Sequence, residues 1–162
     1  MTKELILIRH AEASEAMARI KDIERELTAK GYRDAPHAGR YLSDKGFLPD
    51  RVICSNARRA ISTVELIVEQ VKFNTNDVEL IPDLYNASVR TLLAMINNTS
   101  DEHSKLLVVG HNPTISYFAE YVSGEPIGTM STAGIVFITF NVDSWEEVSQ
   151  DVGKFIFYEY PE

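Results

Sequence analysis

The chain has 162 residues, 44% of them hydrophobic, which is typical of one globular domain with its own core, so we expect a single domain over residues 1–162. One cysteine excludes an intramolecular disulfide, and no stretch approaches the roughly twenty apolar residues of a membrane-spanning helix, so we expect a cytoplasmic protein. The net charge of -8 argues against general binding of nucleic acid or anionic membranes, because both need clustered positive charge.

Positive charge is concentrated in the first part of the chain. Residues 1–70 hold 12 of the 16 lysines and arginines against 11 acidic residues, whereas residues 71–162 hold 4 against 13. If the protein binds an anion, residues 1–70 must therefore supply most of the guanidinium groups.

Short apolar runs alternate with amphipathic stretches along the chain. In chain order, the patterns predict a strand over residues 5–8, a helix over 28–45, a strand over 51–54, a helix over 57–71, a strand over 78–81, a helix over 88–97, a strand over 105–109, a helix over 114–122, and strands over 133–140 and 154–160. This alternation predicts an α/β fold with three layers, α/β/α, in which helices cover both faces of a mostly parallel sheet. The last two strands are expected to form an antiparallel or edge pair.

Chemically capable residues follow three of these strands. Arg9 and His10 follow the first strand, residues 55–59 follow the second, and His111 follows the fourth. Because right-handed crossovers place the carboxyl ends of parallel strands at one sheet edge, two histidines and at least two arginines should meet there. Guanidinium groups bind phosphate oxygens and a neutral imidazole can attack phosphorus, so the pattern predicts a site for a phosphoryl group.

A helix is predicted to begin directly after His111. Asn112 is expected to be its N-cap, with Pro113 at the first helical position. The backbone N–H groups at this helix start are expected to contribute to anion binding.

Three short motifs carry a resemblance to a known family. Residues 9–11, Arg-His-Ala, resemble the Arg-His-Gly motif of the histidine phosphatase superfamily, the phosphoglycerate mutase-like group, with alanine in the glycine place. Residues 55–63, Ser-Asn-Ala-Arg-Arg-Ala-Ile-Ser-Thr, are similar to its Ser-Pro-x-x-Arg-Ala-x-x-Thr pattern, with asparagine replacing proline. Residues 108–113, Val-Val-Gly-His-Asn-Pro, resemble its second histidine motif, and the order and separation of all three motifs fit.

Within that superfamily the chain looks most like the SixA-type phosphohistidine phosphatases, because it is small and carries Arg-Glu-Leu-Thr-Ala-Lys-Gly at residues 25–31. Larger relatives have long insertions that enclose small substrates, so the resemblance implies an open site that suits a phosphoryl group displayed on another protein. It also implies a phosphoglycerate mutase-like fold and a phosphoric monoester or phosphoamide hydrolase, for which neither a cofactor nor a metal ion is expected.

The resemblance implies roles for the matching residues. His10 would be the nucleophile that becomes phosphorylated. Arg9 and Arg59 would bind the phosphate oxygens, and His111 would stabilise charge on the transferred group.

Two other arginines, Arg25 and Arg58, stand apart from these four residues. Arg25 either approaches the phosphate or forms a surface ion pair with Glu24 or Glu26. Arg58 stands at a variable position of the second motif and is treated as a surface residue.

The proton donor is not evident. Mutase-like members of the family place a Glu or Asp after the third strand, where residues 82–86 here read Pro-Asp-Leu-Tyr-Asn, with Asn86 nearest the expected place. Asp83 is the only carboxylate in this segment, and it is either the donor or an ordinary turn residue. A missing acid favours phosphohistidine as substrate, because an imidazole leaving group needs protonation less than an alkoxide, for which general acid catalysis is worth about 10²- to 10⁴-fold.

Two alternative functions stay open. One is a phosphatase for small phosphate esters or phosphosugars on the same fold, and the other is a non-catalytic module that binds phosphoproteins. The expected partner is thus a phosphorylated protein, carrying phosphohistidine, or a small phosphorylated substrate. Cys54 is expected to be a core residue rather than a nucleophile, because Ala60 stands where a cysteine phosphatase needs an arginine.

Overall fold

The computed structural model describes residues 2–161, which form a six-stranded sheet and four helices. In chain order the elements are β1 (Thr2–Arg9), α1 (Ala29–Asp44), β2 (Arg51–Cys54), α2 (Arg58–Gln70), β3 (Glu79–Leu80), α3 (Val89–Asn97), β4 (Lys105–Gly110), α4 (Thr114–Ser123), β5 (Ile135–Asn141) and β6 (Lys154–Glu159). Within this part of the chain, no helix has the length and apolar composition that crossing a membrane requires.

The strand order across the sheet is β3-β2-β4-β1-β5-β6. The β3-β2, β2-β4 and β4-β1 pairs are parallel, and the β1-β5 and β5-β6 pairs are antiparallel. The mostly parallel sheet and the antiparallel pair at its edge are therefore both confirmed.

Helices pack on both faces of the sheet, which confirms the three-layer α/β/α architecture. Leu5 and Leu7 of β1 pack in one apolar cluster with residues of α3 and α4. Ile6 and Ile8 point to the opposite face and pack in a second cluster with α1 and α2. Because successive side chains of a strand alternate between faces, burial of both faces explains why this run is apolar at every position.

Element boundaries differ from the sequence prediction mainly at the sheet edge. β3 has only two residues, both exposed, where residues 78–81 were expected. It is the outer strand of the sheet and has little apolar surface to bury there. At the centre, β1 is longer than expected, because its paired residues run from Thr2 to Arg9.

The predicted start of α4 is wrong in one respect. Pro113, not Asn112, is the N-cap position, and no side chain caps the helix. The Asn112 side chain donates to the carbonyl of Met130 at 3.0 Å and accepts from the Ser116 hydroxyl at 2.5 Å. The Met130 carbonyl and the hydroxyl of Ser116, in the first turn of α4, therefore occupy the groups that backbone capping would need.

Strand register places the two motif histidines side by side. Arg9, the last residue of β1, is paired with Gly110, the last residue of β4, so His10 and His111 each follow one member of this pair. The backbone N–H of His10 donates to the carbonyl of Gly110 at 3.1 Å, and that of Ser55, after β2, donates to β4 at 3.2 Å. The ends of three parallel strands thus meet at one edge of the sheet.

Candidate active site

A cavity of about 410 Å³ lies at this edge of the sheet. Its walls include all five of the residues singled out from the sequence, namely Arg9, His10, Arg25, Arg59 and His111. The centroids of the His10 and His111 rings are 5.1 Å apart, with the ring planes tilted by 56°. The structure therefore brings together two imidazoles and three guanidinium groups around one space.

His10 has a defined proton arrangement. Its Nδ1 lies 2.7 Å from the carbonyl oxygen of Ala11, which can only accept, so Nδ1 carries the proton and Nε2 has a free lone pair in the neutral ring. Burial, with smaller contributions from the charges of His111, Arg59 and Arg9, lowers the pKa of His10 to about 3 against the opposing effect of the Ala11 hydrogen bond. The ring is thus neutral at pH 7, as a nucleophile must be.

Arg9 and Arg59 each keep a buried donor without a partner among residues 2–161. Arg9 donates from Nη1 to the carbonyl of Met130 at 2.9 Å, but its Nε has no acceptor in the protein. The Nε of Arg59, whose residue is 6% exposed, is likewise unpaired. Buried N–H groups are costly unless something accepts from them, so two residues of the cavity wall each keep an unfilled donor.

Asp22 is a major component of the cavity that the sequence did not indicate. It lies in a short 3₁₀ turn, Asp22–Glu24, and its carboxylate accepts from Nη2 of Arg59 at 3.1 Å, from Nε of Arg25 at 3.0 Å, and from the hydroxyl of Tyr85. The Tyr85 hydrogen bond, followed by the hydrogen bond and charge of Arg59, lowers the pKa of Asp22 to about 2. Asp22 is therefore ionised throughout the physiological range.

Arg25 lies in the cavity wall and is paired there. Its ion pair is with Asp22, and not with Glu24 or Glu26 as one alternative had it. Its Nη1 also donates to the carbonyl of Ser14 at 2.7 Å, which anchors the guanidinium group beside the cavity.

His111 presents the other imidazole. Its Nε2 lies 2.7 Å from the hydroxyl of Ser55, and its buried Nδ1 has no partner among the described residues. Burial lowers the pKa of His111 to about 4, with a further contribution from Arg59 and an opposing one from Asp22. The Tyr85 ring packs edge-on against His111, with centroids 5.6 Å apart.

Three residues considered in the sequence analysis lie outside the cavity wall. Arg58 is exposed and pairs with Glu26 and Glu65, each at 3.3 Å, as expected of a surface residue. Asp83 is exposed in the turn after β3 and does not line the cavity. Cys54 is fully buried in the core, and burial raises the pKa of its thiol, so it is no nucleophile.

Glu12 and Tyr85 also line the cavity without having been predicted. Tyr85 falls in the segment examined for a proton donor, but its contact with Asp22 joins residues 63 positions apart, which no local pattern reveals. Asp22 has one weak local signal, since it stands three residues before Arg25 and can pair with it. Within residues 2–161 no cluster of three or more histidine, cysteine or acidic side chains is placed to hold a metal ion.

Comparison with known proteins identifies the family. The histidine phosphatase superfamily (branch 1) matches residues 5–88 of the chain. An uncharacterized protein of Mycobacterium tuberculosis is 36% identical over 112 residues, which cover 69% of this chain and 67% of that protein. The matched segment of the chain contains the motifs at residues 9–11 and 55–63, so it includes His10 and Arg59.

Two solved structures are similar over almost the whole chain. A provisionally named phosphohistidine phosphatase SixA from Nakamurella multipartitia has a TM-score of 0.81 at 26% identity and covers 99% of this chain and 97% of its own. Another provisionally named SixA, from Agrobacterium tumefaciens, has a TM-score of 0.84 at 25% identity, with 98% of each chain covered. The chain therefore belongs to the histidine phosphatase superfamily (branch 1), as a hydrolase with a SixA-like fold.

Proposed function

We propose that this chain is a phosphohistidine phosphatase that transfers the phosphoryl group through a covalent intermediate on His10. The observation that carries the proposal is the hydrogen bond from Nδ1 of His10 to the carbonyl of Ala11, at 2.7 Å. It leaves Nε2 unprotonated in the neutral ring, inside a cavity lined by three arginines. A nitrogen lone pair beside anion-binding guanidinium groups is suited to attack phosphorus.

The reaction has two steps. In the first, Nε2 of His10 attacks phosphorus and a P–N bond forms on His10 while the P–N bond of the substrate breaks. The substrate ring carries a proton on its other nitrogen, so it keeps the electron pair of the broken bond and leaves as neutral imidazole. In the second, water attacks phosphorus and the P–N bond on His10 breaks, so that Nε2 recovers its lone pair. The phosphate leaves with the water oxygen and both water protons, as dihydrogen phosphate. Arg9, Arg59 and Arg25 bind the non-bridging oxygens, and His111 donates an N–H to one of them.

Two carboxylates, Asp83 and Asp22, are unsuited to protonate a leaving group, which favours an imidazole. Asp83 does not line the cavity, and Asp22 holds no proton at neutral pH because its pKa is about 2. Neither can protonate an alkoxide. An imidazole leaving group needs this help less, because the P–N bond that breaks in the substrate is similar in energy to the P–N bond that forms on His10. Half of the Asp22 side chain is exposed, so the cavity opens to the surface and can receive a side chain of another protein.

Glu12 supports a second candidate function, a phosphatase for small phosphate esters or phosphosugars. Its carboxylate lines the cavity, where one oxygen accepts from the Thr28 hydroxyl at 2.8 Å. Glu12 is thus a carboxyl group in the cavity wall, the kind of side chain that an alkoxide leaving group needs as its acid.

The comparisons support the first candidate through the names of the similar structures, both of which are provisionally called phosphohistidine phosphatase SixA. Membership in the superfamily also argues against a module that only binds phosphoproteins. The single-domain organisation over residues 1–162 and the cytoplasmic location remain predictions.

The two candidates are separated by substrate and by the Glu12→Gln variant. We expect phosphate release from a histidine-phosphorylated protein to exceed release from glycerol phosphate by at least about 10²-fold, and E12Q to leave the former nearly unchanged. Comparable turnover of glycerol phosphate that is lost in E12Q would establish the second candidate instead.

A further inference from the structure

Ser55 has no role in the mechanism above, yet it is the one described residue that hydrogen-bonds the His111 ring. It follows β2 directly and is fully buried. Its hydroxyl oxygen lies 2.7 Å from Nε2 of His111 and accepts from the backbone N–H of Ala57 at 3.1 Å. The start of α2 therefore holds the Ser55 hydroxyl against the imidazole.

The two contacts of Ser55 determine to which atom its hydroxyl donates a hydrogen bond. A serine hydroxyl donates once and accepts up to twice. Since Ala57 already donates to Ser55, the Ser55 proton needs an acceptor, and Nε2 of His111 is the acceptor within reach among the described residues. The opposite arrangement, with Nε2 donating, would bury the hydroxyl proton without a partner, at a cost of about 1–3 kcal/mol.

This arrangement places the proton of neutral His111 on Nδ1. That nitrogen is buried, has no acceptor among residues 2–161, and belongs to a ring in the cavity wall. His10 and His111 thus carry their protons on the same ring atom but use the ring in opposite ways. His10 is anchored through Nδ1–H and presents a lone pair, whereas His111 is anchored through Nε2 and presents an N–H.

We propose that Ser55 is a positioning residue that fixes His111 as its Nδ1–H tautomer, so that this N–H binds a phosphoryl oxygen during transfer. The inference rests on the proposed function for its chemical purpose, although the tautomer itself can be measured in the free protein. Without Ser55, part of the neutral His111 would carry its proton on Nε2 and face the phosphoryl oxygen with a lone pair, which repels it.

The tautomer matters only while His111 is neutral, so the effect of removing Ser55 depends on pH. The charged and titratable groups that face His111 are His10 and Arg9 at the end of β1, Asp22 and Arg25 in the β1–α1 connection, Arg59 of α2, and Tyr85 after β3. The Ser55→Ala substitution leaves all of them in place. It also removes the donor that opposes protonation of Nε2, so the pKa of His111 rises, and the cationic ring donates from Nδ1 whatever Ser55 does.

The test combines kinetics with a direct observation of the ring. In S55A we expect kcat for a histidine-phosphorylated protein to fall roughly tenfold at pH 7.5, and the deficit relative to the unsubstituted protein to shrink as the pH is lowered to 5. Ser55→Thr keeps the hydroxyl and Ser55→Cys keeps a weak donor, so S55T should restore most and S55C part of the activity. Ser62→Ala, on α2, removes another buried serine hydroxyl, one that accepts from Arg58, and is the matched control.

Nitrogen-15 NMR of the histidine rings in the free protein reports which nitrogen carries the proton. We expect Nδ1–H for His111 in the unsubstituted protein and a mixture of tautomers in S55A. An Nε2–H tautomer in the unsubstituted protein, or an S55A deficit that is equal at all pH values with no change of tautomer, would overturn the proposal. If the unsubstituted protein releases no phosphate while His111 shows the Nδ1–H tautomer, the proposed function fails and the assignment of Ser55 stands.

Discussion

Asp22 binds Arg59 at two points, since its backbone carbonyl accepts from Nη1 at 2.8 Å and its carboxylate accepts from Nη2 at 3.1 Å. Arg59 therefore already holds an anion in the cavity that contains His10. Asp22 uses one N–H of each of these two nitrogens, and its negative charge opposes a phosphoryl group that approaches the remaining N–H donors of Arg59. Asp22 thus acts as an internal competitor for phosphate.

The Asp22→Asn substitution tests this competition. It removes the negative charge and keeps the shape, so orthovanadate should bind roughly two- to fivefold more tightly, a range set by the modest strength of half-exposed ion pairs. Titration calorimetry at neutral pH measures the affinity. Glu24→Gln removes an exposed charge from the same turn and serves as the control. Weaker binding in D22N would mean that Asp22 supports the anion site rather than competing for it.

Arg59 and Arg58, which are adjacent in sequence, provide a second test, namely whether Arg59 serves the active site. Arg59→Ala removes a buried donor from the cavity and should lower kcat/KM for a histidine-phosphorylated protein by about 10²- to 10³-fold. Arg58→Ala removes an exposed side chain that pairs with Glu26 and Glu65, and should change kcat/KM by less than about twofold. Steady-state kinetics on both variants, with thermal unfolding to confirm folding, gives the comparison. Equal losses in the two variants would contradict the assignment of Arg59 to the site.

The pH dependence of stability follows from the two buried imidazoles. In the unfolded chain, histidine has a pKa of about 6.5, whereas in the folded chain the pKa is about 3 for His10 and about 4 for His111. The unfolded state therefore binds more protons over this interval, so the stability due to these neutral rings is complete above pH 6.5 and is lost as the pH falls towards 4 and then 3.

Urea unfolding at pH 7.5 and pH 5 measures this effect. The free energy of unfolding should be lower at pH 5, and His10→Asn should reduce the difference between the two pH values, because one of the two responsible groups is gone. Equal stability of the unsubstituted protein at both pH values would show that the pKa values of the two rings are not lowered in the folded chain.

The sheet and its layers were predictable because they follow from local periodicity. Residues 5–8 are apolar at every position, and so are residues 106–109 after Lys105, which is the pattern of central strands buried on both faces, and both lie in the middle of the sheet. The meeting of His10 with His111 follows from the same logic, since each residue comes directly after a strand end. Sequence pattern and topology therefore sufficed to place the two imidazoles.

What could not be predicted depends on the path of loops and on contacts between distant residues. The Asp22 contact with Arg59 joins positions 37 apart, and it exists only because the β1–α1 connection runs across the start of α2. Asn112 is a residue type that often caps helices, but its amide nitrogen donates instead to the carbonyl of Met130, which is 18 positions away in the chain. Local rules fail at these positions because tertiary partners compete for the same polar groups.

The central claim is that His10 carries the phosphoryl group during turnover, and rapid-quench mapping tests it most directly. The protein is mixed with a histidine-phosphorylated protein, quenched within milliseconds and digested, and the modified residue is located by mass spectrometry. The account predicts an acid-labile, alkali-stable phosphoryl adduct on His10 that is absent from His10→Asn. Phosphate release without any adduct, or an adduct on another residue such as His111, would contradict it.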